Sequence, residues 1–295
     1  MVLILKKVLE IINLKKYYGK SKGVENISFN VNKGEVFGLI GPNGAGKSTT
    51  IRAILGLIKK TSGEIKVFGE EIEGREKDIR KRIGYLPSEC NFYGDMRVKE
   101  LLKYSQELYK NKEVKIEELA ERLQLDLNKK IEDLSYGNRK KVGIIDTLLS
   151  NGDLFIFDEA TGGLDPLIQE EFFKILEQLK SRGKTIIYSA HVLSEVQRLC
   201  DRVGIIKNGN LIKVDEIDSL REINFKRVSL ITENINIKNI DNIWDYKESN
   251  GRISFNYSGD DRSLLKEILI GDFKDLTIEN PTLEEVFLKY YEREI

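Results

Sequence analysis

Short apolar runs and helical periodicities alternate through the first two thirds of the chain. "GEVFGLIG" (34–41) is an apolar run that closes on glycine, the pattern of a buried strand. "TTIRAILGLI" (49–58) follows with helical spacing and puts Ile51, Ile54, Leu55 and Ile58 on one face. "DLFIFDE" (153–159) and "KTIIYSAH" (184–191) predict two more buried strands. "GIIKNGNLIKV" (204–214) predicts a hairpin turning at Asn208-Gly209. Strands alternating with helices predict a parallel sheet covered by helices on both faces. Residues 91–150 interrupt the scheme. "VKELLKYSQELYK" (98–110) and "KIEELAERLQL" (115–125) are charged amphipathic helix, so this stretch is expected to be a helical insertion.

The texture changes near residue 220. From Arg227 on, "RVSLITE", "RISFNYS" and "DLTIEN" are short strand-like pieces. "DRSLLKEILIG" and "TLEEVFLKYYERE" are helical, and Thr282 with Glu285 forms a capping-box pattern. We expect an α/β domain over 1–218 and a small α+β domain over 226–295.

Bulk properties narrow the function. At 295 residues the chain has room for two domains. It carries 48 basic and 48 acidic residues, and this balance argues against a dedicated nucleic-acid binder. Cys90 and Cys200 are far apart and have no metal-site spacing. The apolar stretch before Lys6 and Lys7 is too short for a signal peptide, and no run approaches a membrane helix. The expected location is therefore cytoplasmic, with any membrane contact made through a partner.

The most specific chemistry lies in "GPNGAGKST" (41–49). It matches G-x-x-x-x-G-K-[ST] between a predicted strand and a predicted helix, the context this motif requires. Gly41, Gly44 and Gly46 let the backbone curl so that N–H groups and a helix N-terminus face phosphate oxygens. Lys47 adds a point charge for the β- and γ-phosphates. Ser48 offers a hydroxyl to Mg²⁺, and Thr49 supports the α- and β-phosphates. Asp158 ends an apolar strand and is expected at the same sheet edge as a metal ligand. Glu159 follows it and is placed to polarise the attacking water. His191, the chain's one histidine, ends another strand at that edge, which points to a γ-phosphate contact.

Together these residues resemble the ATP-binding cassette (ABC) ATPases over residues 4 to about 218. The elements occur in family order: Tyr18, "GPNGAGKST", "YLPSE", "LSYGN", "LFIFDE" with "GGLD", and "SAH". The resemblance implies a P-loop NTPase cassette with a mixed sheet and a helical subdomain. It implies ATP and Mg²⁺ as cofactors. Tyr18 would stack on adenine. Asn43 and Ala45 lie within the nucleotide-binding loop. Lys47, Glu159 and His191 would be catalytic, with Glu159 as the base.

The family also implies a second ATPase subunit, identical or paralogous, in a head-to-tail dimer. Each nucleotide would then lie between one chain's phosphate loop and the other's Ser135 and Gly137, with Asp165 crossing the interface. The tail, "GRISF…NPTLEEVFLKYY", is similar to that of ABC-2-type exporter ATPases, some of which export drugs, lantibiotics or amphipathic peptide toxins. That similarity implies a separate integral membrane permease and a peripheral position on the cytoplasmic face of the cell membrane. The permease would dock near Phe92, Tyr93 and Met96; the alternative for that stretch is a loop packed on its own domain.

Three positions depart from the family pattern. Ser88 stands where glutamine is usual, and Glu89 beside it is a candidate substitute ligand. Tyr136 and Asn138 stand where glycine and glutamine are usual. Ser135 is expected to cap a helix running through Val142, Ile145 and Leu149, and Arg139, Lys140 and Lys141 are expected to form a mostly solvated face. A soluble ABC ATPase acting on a non-membrane partner and a nucleotide-gated regulatory module are the competing readings. The single cassette and neutral charge disfavour the first, and the intact Lys47, Asp158, Glu159 and His191 disfavour the second.

Overall fold

The computed structural model describes residues 6–221, 225–232, 241–249, 251–269 and 272–279. Two compact units divide the chain, Met1–Glu216 and Ile217–Ile295.

The first unit opens with two long strands, β1 (Lys7–Tyr18) and β2 (Ser21–Asn32), paired antiparallel. There follow β3 (Val36–Ile40), α1 (Lys47–Ile54), β4 (Ser62–Val67), β5 (Glu70–Glu71), α2 (Glu76–Arg80) and β6 (Ile83–Leu86). Three helices come next: α3 (Val98–Tyr109), α4 (Ile116–Arg122) and α5 (Tyr136–Leu149). The unit closes with β7 (Leu154–Asp158), α6 (Pro166–Ser181), β8 (Thr185–Ala190), α7 (Leu193–Leu199), β9 (Arg202–Lys207) and β10 (Asn210–Glu216).

Ten strands form one sheet in the order β5-β4-β1-β2-β10-β9-β3-β8-β7-β6. Its second half, β9-β3-β8-β7-β6, is parallel. The family resemblance implies a mixed sheet, which this is, whereas strand alternation alone predicts a parallel one. The first half departs from the parallel pattern: β1 pairs antiparallel with β2 and β4, β4 with β5, and β10 with β9. The two kinds of strand differ in burial. β3, β7 and β8 are buried at every position and read as continuous apolar runs. β2 alternates, burying Val24, Ile27, Phe29 and Val31 and leaving polar residues between them. Phe29 stacks on Phe37 of β3 at 4.8 Å between ring centroids. The Asn208-Gly209 hairpin forms as read, with both residues at positive φ, as a two-residue turn between antiparallel strands requires.

Residues 98–149 add no strand to the sheet, and α5 packs against α3, α4 and β6. Those neighbours cover α5 on more than one side, and every residue from Lys140 to Leu149 except Asp146 is buried. The expected solvated basic face is therefore corrected. Lys140 is fully buried, Lys141 is 7% exposed, and Arg139 is only partly exposed with its Nη2 donating to the Glu132 carbonyl.

The second unit contains α8 (Ile217–Arg221), β11 (Lys226–Thr232), β12 (Ile243–Ser249), β13 (Arg252–Tyr257), α9 (Asp261–Ile268) and β14 (Phe273–Glu279). Its antiparallel sheet has the order β12-β13-β11-β14. Val228, Leu230, Ile253 and Phe255 pack with Leu264 and Ile268 of α9 into one core. β12 carries no alternating pattern and is mostly exposed, so its sequence did not announce it. Thr282, Glu285 and the "TLEEVFLKYYERE" stretch lie outside the described residues.

Candidate active site

Register brings the site together. Ile40 at the end of β3 lies opposite Ala190 at the end of β8. Asp158 at the end of β7 lies opposite Ser189. Chain segments beginning at Gly41, Glu159 and His191 therefore leave the sheet at one edge, within a residue or two of each other. This is where ligands bind in open parallel sheets.

The phosphate loop is shaped by positions where no side chain fits. A Cβ on Gly41 would stand 2.3 Å from the Ile206 carbonyl oxygen. Gly46 has φ 113°, and its Cβ would stand 2.8 Å from Val24. Gly46 is the N-cap of α1, so the helix N-terminus opens onto the loop. Thr50 Oγ1 donates back to the Gly46 carbonyl at 2.9 Å. The hairpin tip braces the loop, with the Gly209 N–H donating to the Ala45 carbonyl at 2.8 Å. Pro42, Asn43 and Gly44 are exposed, while Ala45, Gly46 and Lys47 are buried.

Lys47 Nζ donates to the carbonyls of Gly41 at 2.8 Å and Pro42 at 3.2 Å. It also lies 3.3 Å from Glu159 Oε1. All its partners are oxygens, the atom type a phosphate presents. Glu159 has φ 50°, and its N–H donates to the Ser189 carbonyl at 3.0 Å. That left-handed turn carries the side chain out of the strand direction; it is 29% exposed beside the buried ammonium.

Asp158 is 1% exposed, and both its carboxylate oxygens are buried without a hydrogen-bond partner of full geometry. Ser189 Oγ is buried and unpartnered as well. Burial raises the Asp158 carboxyl above the ordinary carboxylate range, and the nearby Ser48 and Ser189 hydroxyls oppose that rise. A buried, unpaired carboxylate is costly, and a hard divalent cation is a partner that would offset the cost. The donors Asp158 and Ser48 are both oxygen and so fit Mg²⁺.

The remaining predicted residues fall as follows. Tyr18 is exposed and stands beside the loop's end: a Cβ on Gly23 would meet Tyr18 Cε2 at 2.9 Å and Thr49 Cγ2 at 3.1 Å. Lys16 Nζ lies 4.8 Å from the Tyr18 ring centroid. His191 is exposed just past β8. Ser135 caps α5, accepting from the Asn138 N–H at 3.3 Å. Asp165 caps α6 of its own chain, accepting from the Ile168 N–H at 3.0 Å, with Pro166 at the first helical position. Ser88 is engaged through its carbonyl, which accepts from Tyr136 and Lys140. Tyr93 is 75% exposed, while Phe92 and Met96 are only partly so. Lys140 was missed at this edge. The available signal was the apolar residues all around α5, which mark a buried helix rather than a surface one.

A glycine-shaped phosphate loop, a lysine, and a carboxylate pair at the end of a parallel strand define a P-loop nucleotide-binding ATPase. The family model described as "ABC transporter" matches residues 24–162. The bacitracin transport ATP-binding protein BcrA of Bacillus licheniformis is 39% identical over 223 residues, covering 74% of this chain and 73% of that protein. The lantibiotic transport ATP-binding protein SrtF of Streptococcus pyogenes is 39% identical over 213 residues, covering 72% of this chain and 92% of that protein. A solved structure of an ATP-binding subunit of an ABC transporter superposes with TM-score 0.67 at 31% identity, covering 72% of this chain and 92% of that one. The chain belongs to the ABC transporter ATP-binding proteins.

Proposed function

We propose that the chain is the ATP-hydrolysing subunit of an ABC-type exporter, peripheral to the cytoplasmic face of the membrane and bound there to a separate permease. The observation that carries the hydrolytic part is the placement of Lys47 against Glu159 and beside the buried Asp158. The export direction is supported by relatives, 36% identical, that are named for Nod factor export. Among the described residues no helix is long and apolar enough to cross a membrane, so the path for cargo has to come from a partner.

In this mechanism the N–H groups of residues 41–48 and the N-terminus of α1 bind the phosphates, with Lys47 on the β- and γ-phosphate oxygens. Ser48 and Asp158 would hold Mg²⁺, which would supply charge neutralisation on the phosphate oxygens. Glu159 orients and polarises the attacking water, and His191 contacts the γ-phosphate. Tyr18 stacks on the adenine. Ser135 and Gly137, at the N-terminus of α5, complete the site of a second subunit arranged head to tail. ATP closes the pair and hydrolysis reopens it, so the two-state element is the interface.

Affinity purification from membranes tests the reading. It expects an integral membrane protein to co-purify and to stimulate Mg²⁺-dependent ATP hydrolysis. Recovery with soluble partners alone would move the chain to the non-membrane class.

A further inference from the structure

The first turns of α5 are tied to two other segments of the same unit. Tyr136 Oη donates to the main-chain carbonyl of Ser88 at 3.1 Å. One turn on, Lys140 Nζ donates to that same carbonyl and to the Pro87 carbonyl at 3.2 Å. The ammonium lies 5.8 Å from the centroid of the Tyr136 ring. The turn after β7 also meets the ring. A Cβ on Gly163 would stand 2.4 Å from Tyr136 Cδ1, and a Cβ on Gly137 would stand 2.2 Å from the Gly163 carbonyl oxygen. Residues 87–88, 135–140 and 162–163 therefore meet around one phenol ring.

Lys140 makes this more than packing. Its side chain is fully buried, and an unpaired buried ammonium is expensive. Burial lowers its basicity; Cys90, Asp158, Glu159 and Glu89 act in the opposite direction. The ammonium thus sits within electrostatic reach of the catalytic carboxylates while its hydrogen bonds go to the 87–88 backbone.

We propose that Tyr136 and Lys140 are positioning residues that clamp the Pro87–Ser88 loop to the start of α5, so that the loop leading toward α3 and the helix end offered to the second subunit's nucleotide move as one body. This rests on the two-subunit site proposed above. The clamp grips a carbonyl, which any residue at position 88 possesses. It therefore supplies a link that does not depend on the reach of the short Ser88 side chain.

The test uses Tyr136→Phe, Lys140→Met and the double variant in the full chain, measured for steady-state hydrolysis. The same three are measured for ATP-driven dimerisation in a Glu159→Gln background. Removing the Tyr136 hydroxyl deletes one hydrogen bond and is expected to lower kcat roughly three- to tenfold. The KM for ATP should change by less than about twofold, because nucleotide is gripped first by the phosphate loop. Lys140→Met should cost more. The double variant should be worse than Lys140→Met alone, since in the single variant Tyr136 still holds the Ser88 carbonyl. ATP-induced protection of the 88–90 amides from hydrogen exchange should be lost in all three. Tyr136 is 53% exposed, so its variant folds whatever Lys140→Met does. Parent-like kcat and parent-like amide protection in Tyr136→Phe would overturn the clamp. If Glu159→Gln alone fails to dimerise with ATP, the two-subunit site falls and the clamp with it.

Discussion

Asp158→Asn should stabilise the nucleotide-free protein while abolishing its metal response. The wild-type carboxylate is 1% exposed and neither oxygen has a hydrogen-bond partner of full geometry; the nearby Ser48 and Ser189 hydroxyls and the Lys47 ammonium offset its burial only in part, so the fold disfavours the ionised form. An unsatisfied buried polar group costs about 1–3 kcal/mol, and more when charged. An asparagine of the same shape removes the charge, and its amide can donate to Ser189 Oγ, which is also unpartnered. The expected gain is about 1–3 kcal/mol, or about 2–4 °C in Tm per kcal/mol for a unit of this size.

The gain has a defined pH dependence. Burial raises the Asp158 pKa in the folded state, so the fold favours the protonated acid. That contribution is fully present below the unfolded carboxylate pKa and is lost as pH rises through the raised folded value. The advantage of asparagine should therefore be small in acid and grow as pH rises through the raised folded value. Thermal melts of both proteins from acid to neutral pH, with and without Mg²⁺ and ATP, provide the assay. Mg²⁺ should add to ATP's stabilisation in the parent and add little in the variant. A variant less stable than the parent near neutral pH, or a difference that ignores pH, would refute the assignment of Asp158 as a strained ligand.

Glu159→Gln should retain ATP binding and accumulate a closed dimer, seen as a doubled mass on gel filtration with ATP; undiminished multiple-turnover hydrolysis would remove Glu159 from the base role. Gly137→Ala should destabilise the first unit by about 1–3 kcal/mol, because the new Cβ meets a backbone oxygen at 2.2 Å and not the movable tip of a side chain; a urea midpoint equal to the parent's would contradict that contact.

Features that depend on neighbouring residues were legible in the sequence. The glycines and lysine of residues 41–49, the Asn208-Gly209 turn and the Ser135 cap each rest on local geometry. The shared edge of Asp158 and His191 was legible because both end apolar runs. The carbonyl grip of Tyr136 on Ser88 was not, since it joins residues 48 apart in the chain. The burial of Lys140 was hidden because three consecutive cations suggest solvent, whereas α5 packs against α3, α4 and β6 and the ammonium reaches the Pro87 and Ser88 carbonyls. β1 and β2 were hard to read individually because charged residues interrupt their apolar positions. Asp165 shows the opposite case. The residue expected across an interface also has a local task, capping α6.

The central claim is that each catalytic site takes its phosphate loop from one chain and its Ser135 helix end from another. Mixing two inactive proteins tests it most directly. Lys47→Ala disables a phosphate loop, and Ser135→Arg disables a helix end while leaving nucleotide binding to the monomer intact. In a mixed dimer one site carries both lesions and the other carries neither. At equal mixing half the dimers are mixed, so hydrolysis should recover to roughly a quarter of the parent rate. If each chain holds a whole site, every site in the mixture keeps a lesion and no activity returns.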